Sequence, residues 1–273
     1  MEFLTPHHIR ELSLEALSVR PDAWAKLGGN PGFLTDRIRP GQLRAAILGS
    51  PHPHARILSI DTSAAQALPG VHAVVTHADI PGIKHYGLRK VDRPVLCIDK
   101  VRHVGDPVAA VAAVDMETTR QALALIRVEY ELLPSVCDPI AALDGTAAAE
   151  QPVHQDGNLL HAASHRHGDM SAAQAGTVHR VQDQYVTPRQ MHAFLETEGG
   201  VAEPDGAGGL RLFFGGHNPA REKQVIADML GLPHDRVHAV ATPVGGSYGG
   251  KDELTIQPIA ALLAWMAQRP VRL

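Results

Sequence analysis

The chain has 273 residues, 44% hydrophobic and 20% charged, enough to bury one sizeable core with room for a second. Its formal net charge of −4 is spread without a basic block, so a nucleic-acid or anionic-membrane partner has no electrostatic support. No apolar run approaches the ~20 residues of a membrane span, and MEFLTPHHIRELSLEAL lacks the order of a secretory leader, so a cytoplasmic location is expected.

The N-terminal stretch reads as a short amphipathic helix, with Leu12, Ala16 and Val19 on one side and Arg20-Pro21 as a stop. KLGGNPGFLTD is turn-rich. Short strands are expected at Leu43 to Leu48, Arg56 to Ile60 and Val71 to Thr76. From Pro107, PVAAVAAV is apolar on both alternating sets, as a strand covered on both faces would be.

Asp115 is placed to cap a helix in which Ala122, Leu123 and Ile126 recur at helical spacing. Val128, Tyr130 and Leu132 then alternate with charged residues as a half-buried strand. The Ala/Asp/Gly/His-rich segment from about Ala141 to Thr177 shows little periodicity beyond a candidate strand near Pro152, and reads as a connector between two domains.

A strand is expected near Val178 to Val186, followed by a hairpin in GGVAEPDGAGGLRLFF turning at Pro204-Asp205-Gly206. Asn218 caps and Pro219 opens a helix striped by Val225, Ile226, Met229 and Leu230, which Gly231 ends. RVHAVATPV supplies another strand, and LTIQPIAALLAWMAQ a largely buried helix. The final RPVRL looks like a strand just entered, so a continuation is expected. Mixed strand and helix order without regular βα alternation predicts an α+β fold.

Cys97 and Cys137 stand apart without C-x-x-C spacing, which excludes a self-contained iron–sulfur or zinc-thiolate centre, and Cys97 in PVLCI reads as core. The histidine pairs His7-His8, His52/His54 and His165/His167 lack H-E-x-x-H spacing and read as solvated side chains.

The stretch VATPVGGSYGGKDELT, Val240 to Thr255, is the strongest chemical signal. Its glycines allow positive φ and close approach to backbone amides, which suits an anion or a cofactor. Gly245, Gly250 and Lys251 fit the phosphate-loop pattern G-x-x-x-x-G-K-[ST], but Asp252 stands where a magnesium-binding hydroxyl belongs. A P-loop-like nucleotide-binding protein is therefore the alternative function.

Several segments in order resemble one family. PGQLRAAILGSPHPHARILSIDTSAAQALPGVHAVVTHADIP, DKVRHVGDPVAAVAAVD and IRVEYELLPSVCDPIAAL resemble the N-terminal domain of the xanthine dehydrogenase and aldehyde oxidase family of molybdenum hydroxylases. QMHAFLETEGGVAEPDG, ADMLGLPHDRVHAV and VGGSYGGKDE resemble the start of that family's molybdopterin-binding region, whose usual loop is GG-G-F-GGK-E. The resemblance implies an N-terminal extension over 1–20, an α/β hammerhead domain over 21–144, a connector over 145–177 and an incomplete molybdopterin-binding α+β domain over 178–273.

It also implies chemistry: hydroxylation of a heteroaromatic ring carbon or an aldehyde, with oxygen from water and electrons passed to molybdenum. The implied cofactor is a molybdenum–pterin group, expected in its dinucleotide form, with iron–sulfur clusters and FAD on other subunits. The implied cofactor-binding residues are His217, Gly245, Gly246, Ser247, Tyr248, Gly249 and Gly250, with no direct metal ligand from the chain.

Tyr248 replaces the family's usual Phe, and its hydroxyl needs a partner. His217 lies where the family commonly has Gln; as a donor toward the metal centre it would be titratable, and otherwise it merely closes a strand. Lys251 reads as a solvated lysine at a helix start or as a pterin or phosphate contact, and Asp252 as a helix cap or a substrate-facing acid. His192 and Glu196 share one face in QMHAFLE, as a buried hydrogen-bonded pair or as catalytic groups.

The family's catalytic glutamate and its substrate-clamping arginines are absent from this sequence, as are ferredoxin-type cysteines and a flavin domain. The expected partners are therefore the remaining molybdopterin-binding polypeptide, an iron–sulfur subunit, a flavin subunit and a small-molecule substrate. A non-catalytic fragment or assembly module of the same fold is the further alternative.

Overall fold

The computed structural model describes residues 20, 22–29, 32–144, 153–154 and 157–273. The helix expected up to Val19 and the strand suggested near Pro152 lie outside the described residues.

The strands, in chain order, are β1 Leu43–Gly49, β2 Ala55–Asp61, β3 Val71–Val75, β4 His85–Tyr86, β5 Arg93–Pro94, β6 Lys100–Val101, β7 Pro107–Ala113, β8 Arg127–Leu132, β9 Gly200–Pro204, β10 Leu210–Phe214, β11 Val237–Ala241 and β12 Val271–Arg272. The helices are α1 Ala23–Leu27, α2 Ser63–Gln66, α3 Met116–Leu125, α4 Pro139–Asp144, α5 Met170–Ala175, α6 Pro219–Leu230 and α7 Gln257–Ala267. The fold is α+β, as the mixed order predicts.

A seven-stranded sheet in the order β11-β10-β9-β12-β1-β7-β3 joins strands from both ends of the chain, while β6-β2-β8 forms a second, smaller sheet. The junction is the RPVRL segment. Val271 is registered with Leu43 of β1 on one side and Ala202 of β9 on the other, so a strand of two residues bridges the two parts of the sheet.

β7 shows why the apolar run at Pro107 reads as it does. Ala110 and Ala112 pack into the core that holds Phe214, Leu262 and Leu263, while Ala109 and Val111 pack into the core beneath α3 with Ala65 and Ala122. Alternate residues thus serve opposite faces, as the two-sided apolar pattern requires.

Helix α7 is buried all round from Gln257 to Ala264 and lies against β9, β10, β12, β7 and β3. Each of its Ile259, Leu262 and Leu263 side chains contributes about 1.5–3 kcal/mol by leaving water. Because α7 touches both parts of the sheet, that burial fixes the glycine-rich segment before it relative to the N-terminal strands.

Capping follows the local signals. The Asp115 carboxylate accepts the Thr118 N–H at 2.7 Å, and Asn218 Oδ1 accepts the Arg221 N–H at 3.0 Å. Gly231 closes α6 at φ 66°, a left-handed value that glycine adopts without steric cost. One strand expectation fails: Val178 to Val186 forms no strand and pairs with nothing among the described residues, and strand character needs a ladder neighbour.

Candidate functional site

β10 and β11 run parallel in register, Phe214 opposite Ala241, so the loops leaving their carboxyl ends start side by side. In open α/β sheets that end is where ligands bind. The β10 loop carries Gly215, Gly216 and His217 into α6. The β11 loop carries the glycine-rich stretch, and its first residue is tied across by the Thr242 hydroxyl donating to the Phe214 carbonyl at 3.0 Å.

The glycines divide the work. A Cβ on Gly245 would lie 2.5 Å from the Glu196 Cβ, and one on Gly250 2.6 Å from the Phe194 ring, so both are required for the loop to seat on residues 194–196. Gly246 and Gly249 have φ of 101° and 87°, values only glycine holds readily. Tyr248 between them has φ 51° with a side chain 78% exposed, a left-handed conformation costing on the order of 1 kcal/mol for a non-glycine.

The amides divide likewise. The Gly245 N–H donates to Glu196 Oε2 at 2.9 Å and the Gly250 N–H to the Ser247 carbonyl at 2.9 Å. The Ser247 hydroxyl accepts the Lys251 N–H at 3.3 Å. The four N–H groups between, on Gly246, Ser247, Tyr248 and Gly249, have no acceptor among the described residues. Successive unpaired amides in a glycine turn form a concave donor surface for anionic oxygens or the polar edge of a heterocycle.

Beneath the loop lies a buried ion pair. Lys251 is only 4% exposed; its ammonium donates to the Glu196 carbonyl at 2.8 Å and Oε2 at 3.1 Å and sits 4.7 Å from the Phe194 ring centre. Lys251 is thus neither solvated nor a phosphate contact, since its charge is already engaged inside. The expected His192–Glu196 hydrogen bond is also absent. His192 is exposed and stacked on Phe194 at 6.4 Å between ring centres.

His217 joins the site through its Nδ1, 2.7 Å from Asp252 Oδ1, and through its N–H, 3.4 Å from the Lys251 carbonyl. Asp252 is therefore a histidine partner and not a helix cap; the N-cap of α7 is Ile256, which makes no side-chain cap bond. Arg221 makes a two-pronged contact to Glu253 at 3.1 and 3.2 Å, and the Tyr86 hydroxyl and Arg93 guanidinium both donate to the Leu254 carbonyl. The β4–β5 hairpin thus clasps the exit of the glycine loop.

Glu222 was not singled out by sequence reasoning, although its spacing of three and four from Val225 and Ile226 puts it on the buried stripe of α6. Its Oε1 lies 1.7 Å from where a Cβ on Gly216 would stand, so the carboxyl occupies space that only glycine leaves open. Burial pushes its pKa up from 4.5 to about 7.

A group raised in this way stabilises the fold most below its unfolded pKa, and that contribution is lost as pH rises through the folded value. Glu222→Gln should match the parent in stability near pH 4 and exceed it by roughly 3 kcal/mol at pH 8, read by urea unfolding at both pH values. Equal stability at pH 8 would mean that Glu222 ionises without penalty. Burial also raises the Cys97 thiol to about 12, in keeping with its core reading.

Comparison with known proteins places this geometry. Residues 28–134 match the family description "Aldehyde oxidase and xanthine dehydrogenase, a/b hammerhead domain", and residues 153–273 match "Molybdopterin cofactor-binding domain". The chain belongs to the aldehyde oxidase and xanthine dehydrogenase family. It is 44% identical over 93% of its length to a probable xanthine dehydrogenase subunit of Bacillus subtilis, covering 34% of that protein. It is 36% identical over 93% of its length to the "Nicotinate dehydrogenase large molybdopterin subunit" of Eubacterium barkeri, covering 59% of it.

Among solved structures, quinoline 2-oxidoreductase from Pseudomonas putida 86 superposes with a TM-score of 0.80 at 31% identity, over 93% of this chain and 33% of that one. This member of the aldehyde oxidase and xanthine dehydrogenase family thus spans about a third of the length of the Bacillus subtilis relative and of quinoline 2-oxidoreductase. The glycine loop lies within the molybdopterin-binding match, and the clasping β4–β5 hairpin within the hammerhead match.

The phosphate-loop alternative is set aside. Its lysine must be free to reach phosphates, whereas Lys251 is held by Glu196, and its loop opens a helix directly, whereas α7 begins only at Gln257. Among the described residues, no helix is long and apolar enough to cross a membrane.

Proposed function

We propose that this chain is a component of a molybdenum hydroxylase that oxidises a heteroaromatic ring carbon or an aldehyde with oxygen from water, and that it supplies part of the molybdopterin cradle. The observation that carries the proposal is the run of four unpaired amides, Gly246 to Gly249, held open over the Lys251–Glu196 pair. The donor set fits a molybdenum–pterin group: neutral backbone N–H groups complement its oxygens, and the glycines leave room for approach. When bound, that group supplies the two-electron acceptor for the hydroxylation.

In this scheme the chain's residues bind and orient. Gly246, Ser247, Tyr248 and Gly249 donate through their backbones, while Gly245 and Gly250 seat the loop on Glu196 and Phe194. His217 contributes a side-chain donor. With Nδ1–H given to Asp252, its Nε2 donates only in the imidazolium form and accepts in the neutral form, unlike the amide it replaces. The Tyr248 ring stands exposed beside the amides, available to line a substrate cavity.

We assign 21–144 to the hammerhead domain, 145–177 to the connector and 178–273 to the start of the cofactor-binding domain; the match over 28–134 supports the first, while the molybdopterin-binding match begins at 153 and so takes in the later part of this connector with the third. The proposed setting is a cytoplasmic hetero-oligomer. In it the remaining molybdopterin-binding polypeptide brings the catalytic base, and iron–sulfur and flavin subunits carry electrons away from a cofactor in its dinucleotide form. The subunit names of the relatives support an assembly of this kind.

The test is co-expression with the C-terminal two-thirds of the Bacillus subtilis relative in a host that makes the cofactor. Near-equimolar molybdenum and pterin in the purified complex are expected. A stable complex with neither would refute the proposal.

A further inference from the structure

The two glycines that lead from β10 to His217 rest against two different carboxyl groups. A Cβ on Gly215 would lie 3.3 Å from Glu196 Oε2, and one on Gly216 1.7 Å from Glu222 Oε1. Glu196 has its cation, Lys251, at 3.1 Å. Glu222 has none: it is 5% exposed, and its carboxyl makes no hydrogen bond or ion pair among the described residues.

The charged side chains of the surrounding elements are committed elsewhere. Arg221, which precedes Glu222 on α6, holds Glu253; Lys251 holds Glu196; Asp252 holds His217. Glu198 accepts the Thr255 hydroxyl at 2.5 Å, and α7 offers only the neutral Gln257, whose Nε2 lies 3.6 Å from the same Cβ position on Gly216. On β11, packed along α6, Val237 and Ala239 enter the core, so His238 between them faces the other side of the sheet. Lys223 follows Glu222 about 100° round the helix. Burial is accordingly the sole cause of the raised Glu222 pKa.

A neutral carboxyl fits this slot. An ionised one has no donor there, so it draws in water or swings out, and Gly216, in contact with it, moves in either case. His217 is the next residue, and its ring is held by Nδ1 against Asp252 Oδ1 at 2.7 Å. We propose that Glu222 is a positioning residue for His217, holding the imidazole in place while the Glu222 carboxyl is protonated and releasing it on ionisation. The proposal rests on the function proposed above only in treating His217 as a donor in the cofactor site; the coupling itself belongs to the cofactor-free chain.

NMR titration of the full cofactor-free chain tests it. The Glu222 side-chain carboxyl carbon should titrate with a midpoint of about 7, not near 4.5, and the backbone amide shifts of Gly216 and His217 should follow that midpoint. Glu222→Gln abolishes this step at both amides and leaves only the histidine's own titration. His217→Gln keeps the step at Gly216, because the carboxyl that causes it is unchanged. The ring signal of His217 shows two inflections in the parent and one in Glu222→Gln.

A Glu222 midpoint near 4.5 overturns the proposal, as do steps at 216 and 217 that survive Glu222→Gln. A Gly216 step that disappears in His217→Gln overturns it too, because the histidine would then be the group that moves the loop. If these couplings hold while the assembled protein carries no pterin, the cofactor reading alone fails. If pterin is present and Glu222→Gln leaves both amides titrating, the positioning role alone fails.

Discussion

Lys251→Met is expected to destabilise the chain by about 3–5 kcal/mol, the cost of leaving one partner of a buried ion pair behind. Glu196 Oε2 would keep only the Gly245 N–H at 2.9 Å, and Oε1 already has no partner. Glu196→Gln/Lys251→Met should recover most of the loss, because a neutral amide still accepts the Gly245 N–H and no charge remains unpaired. Urea unfolding of the parent, the two single variants and the double variant measures the coupling. Single-variant losses that simply add would show that the pair does not act as a unit. The experiment matters for function because the same carboxylate seats the glycine loop whose inner amides are left open.

Gly82→Ala is expected to cost about 3 kcal/mol or more through forced overlap of backbone with side chain. Its Cβ would stand 2.0 Å from the Asp228 carbonyl oxygen and 2.8 Å from that of Met229, and neither can swing aside as a side-chain end can. Those carbonyls also accept the Ile83 and Gly82 N–H groups at 3.2 and 2.8 Å, so the loop after β3 caps the C-terminal turn of α6. Pushing it away shifts the helix that carries Glu222 and starts beside His217. Gly206→Ala provides the contrast: φ is 78° but nothing lies within 4 Å, so only the left-handed penalty of about 1 kcal/mol applies. Equal losses at Gly82 and Gly206 would remove the steric explanation.

Elements whose signal is local were legible in the sequence. The two-sided apolar run became β7, Asp115 and Asn218 cap helices as their positions indicate, and Gly231 ends α6. RPVRL indeed enters a strand, although its place between β1 and β9 is a pairing that no local pattern reports.

The site was legible only in part, for the same reason. His192 and Glu196 share a face if the segment is helical, but no helix forms there and Ala193 takes a left-handed φ of 50°, so the helical spacing does not apply. Lys251 finds Glu196 across 55 positions of sequence, beyond any spacing rule. Val178 to Val186 has the composition of a strand and lacks the neighbour that would make it one. Glu222 could have been found from its place on an apolar stripe, where a carboxylate has no ordinary reason to be.

Anomalous scattering at the molybdenum edge, from crystals of the chain assembled with the remaining molybdopterin-binding polypeptide, locates the metal directly. A single strong peak beside the amides of Gly246, Ser247, Tyr248 and Gly249, with His217 at its edge, is the predicted result. A peak remote from that turn, with the four N–H groups bonded to protein or to a nucleotide's phosphates, would contradict it.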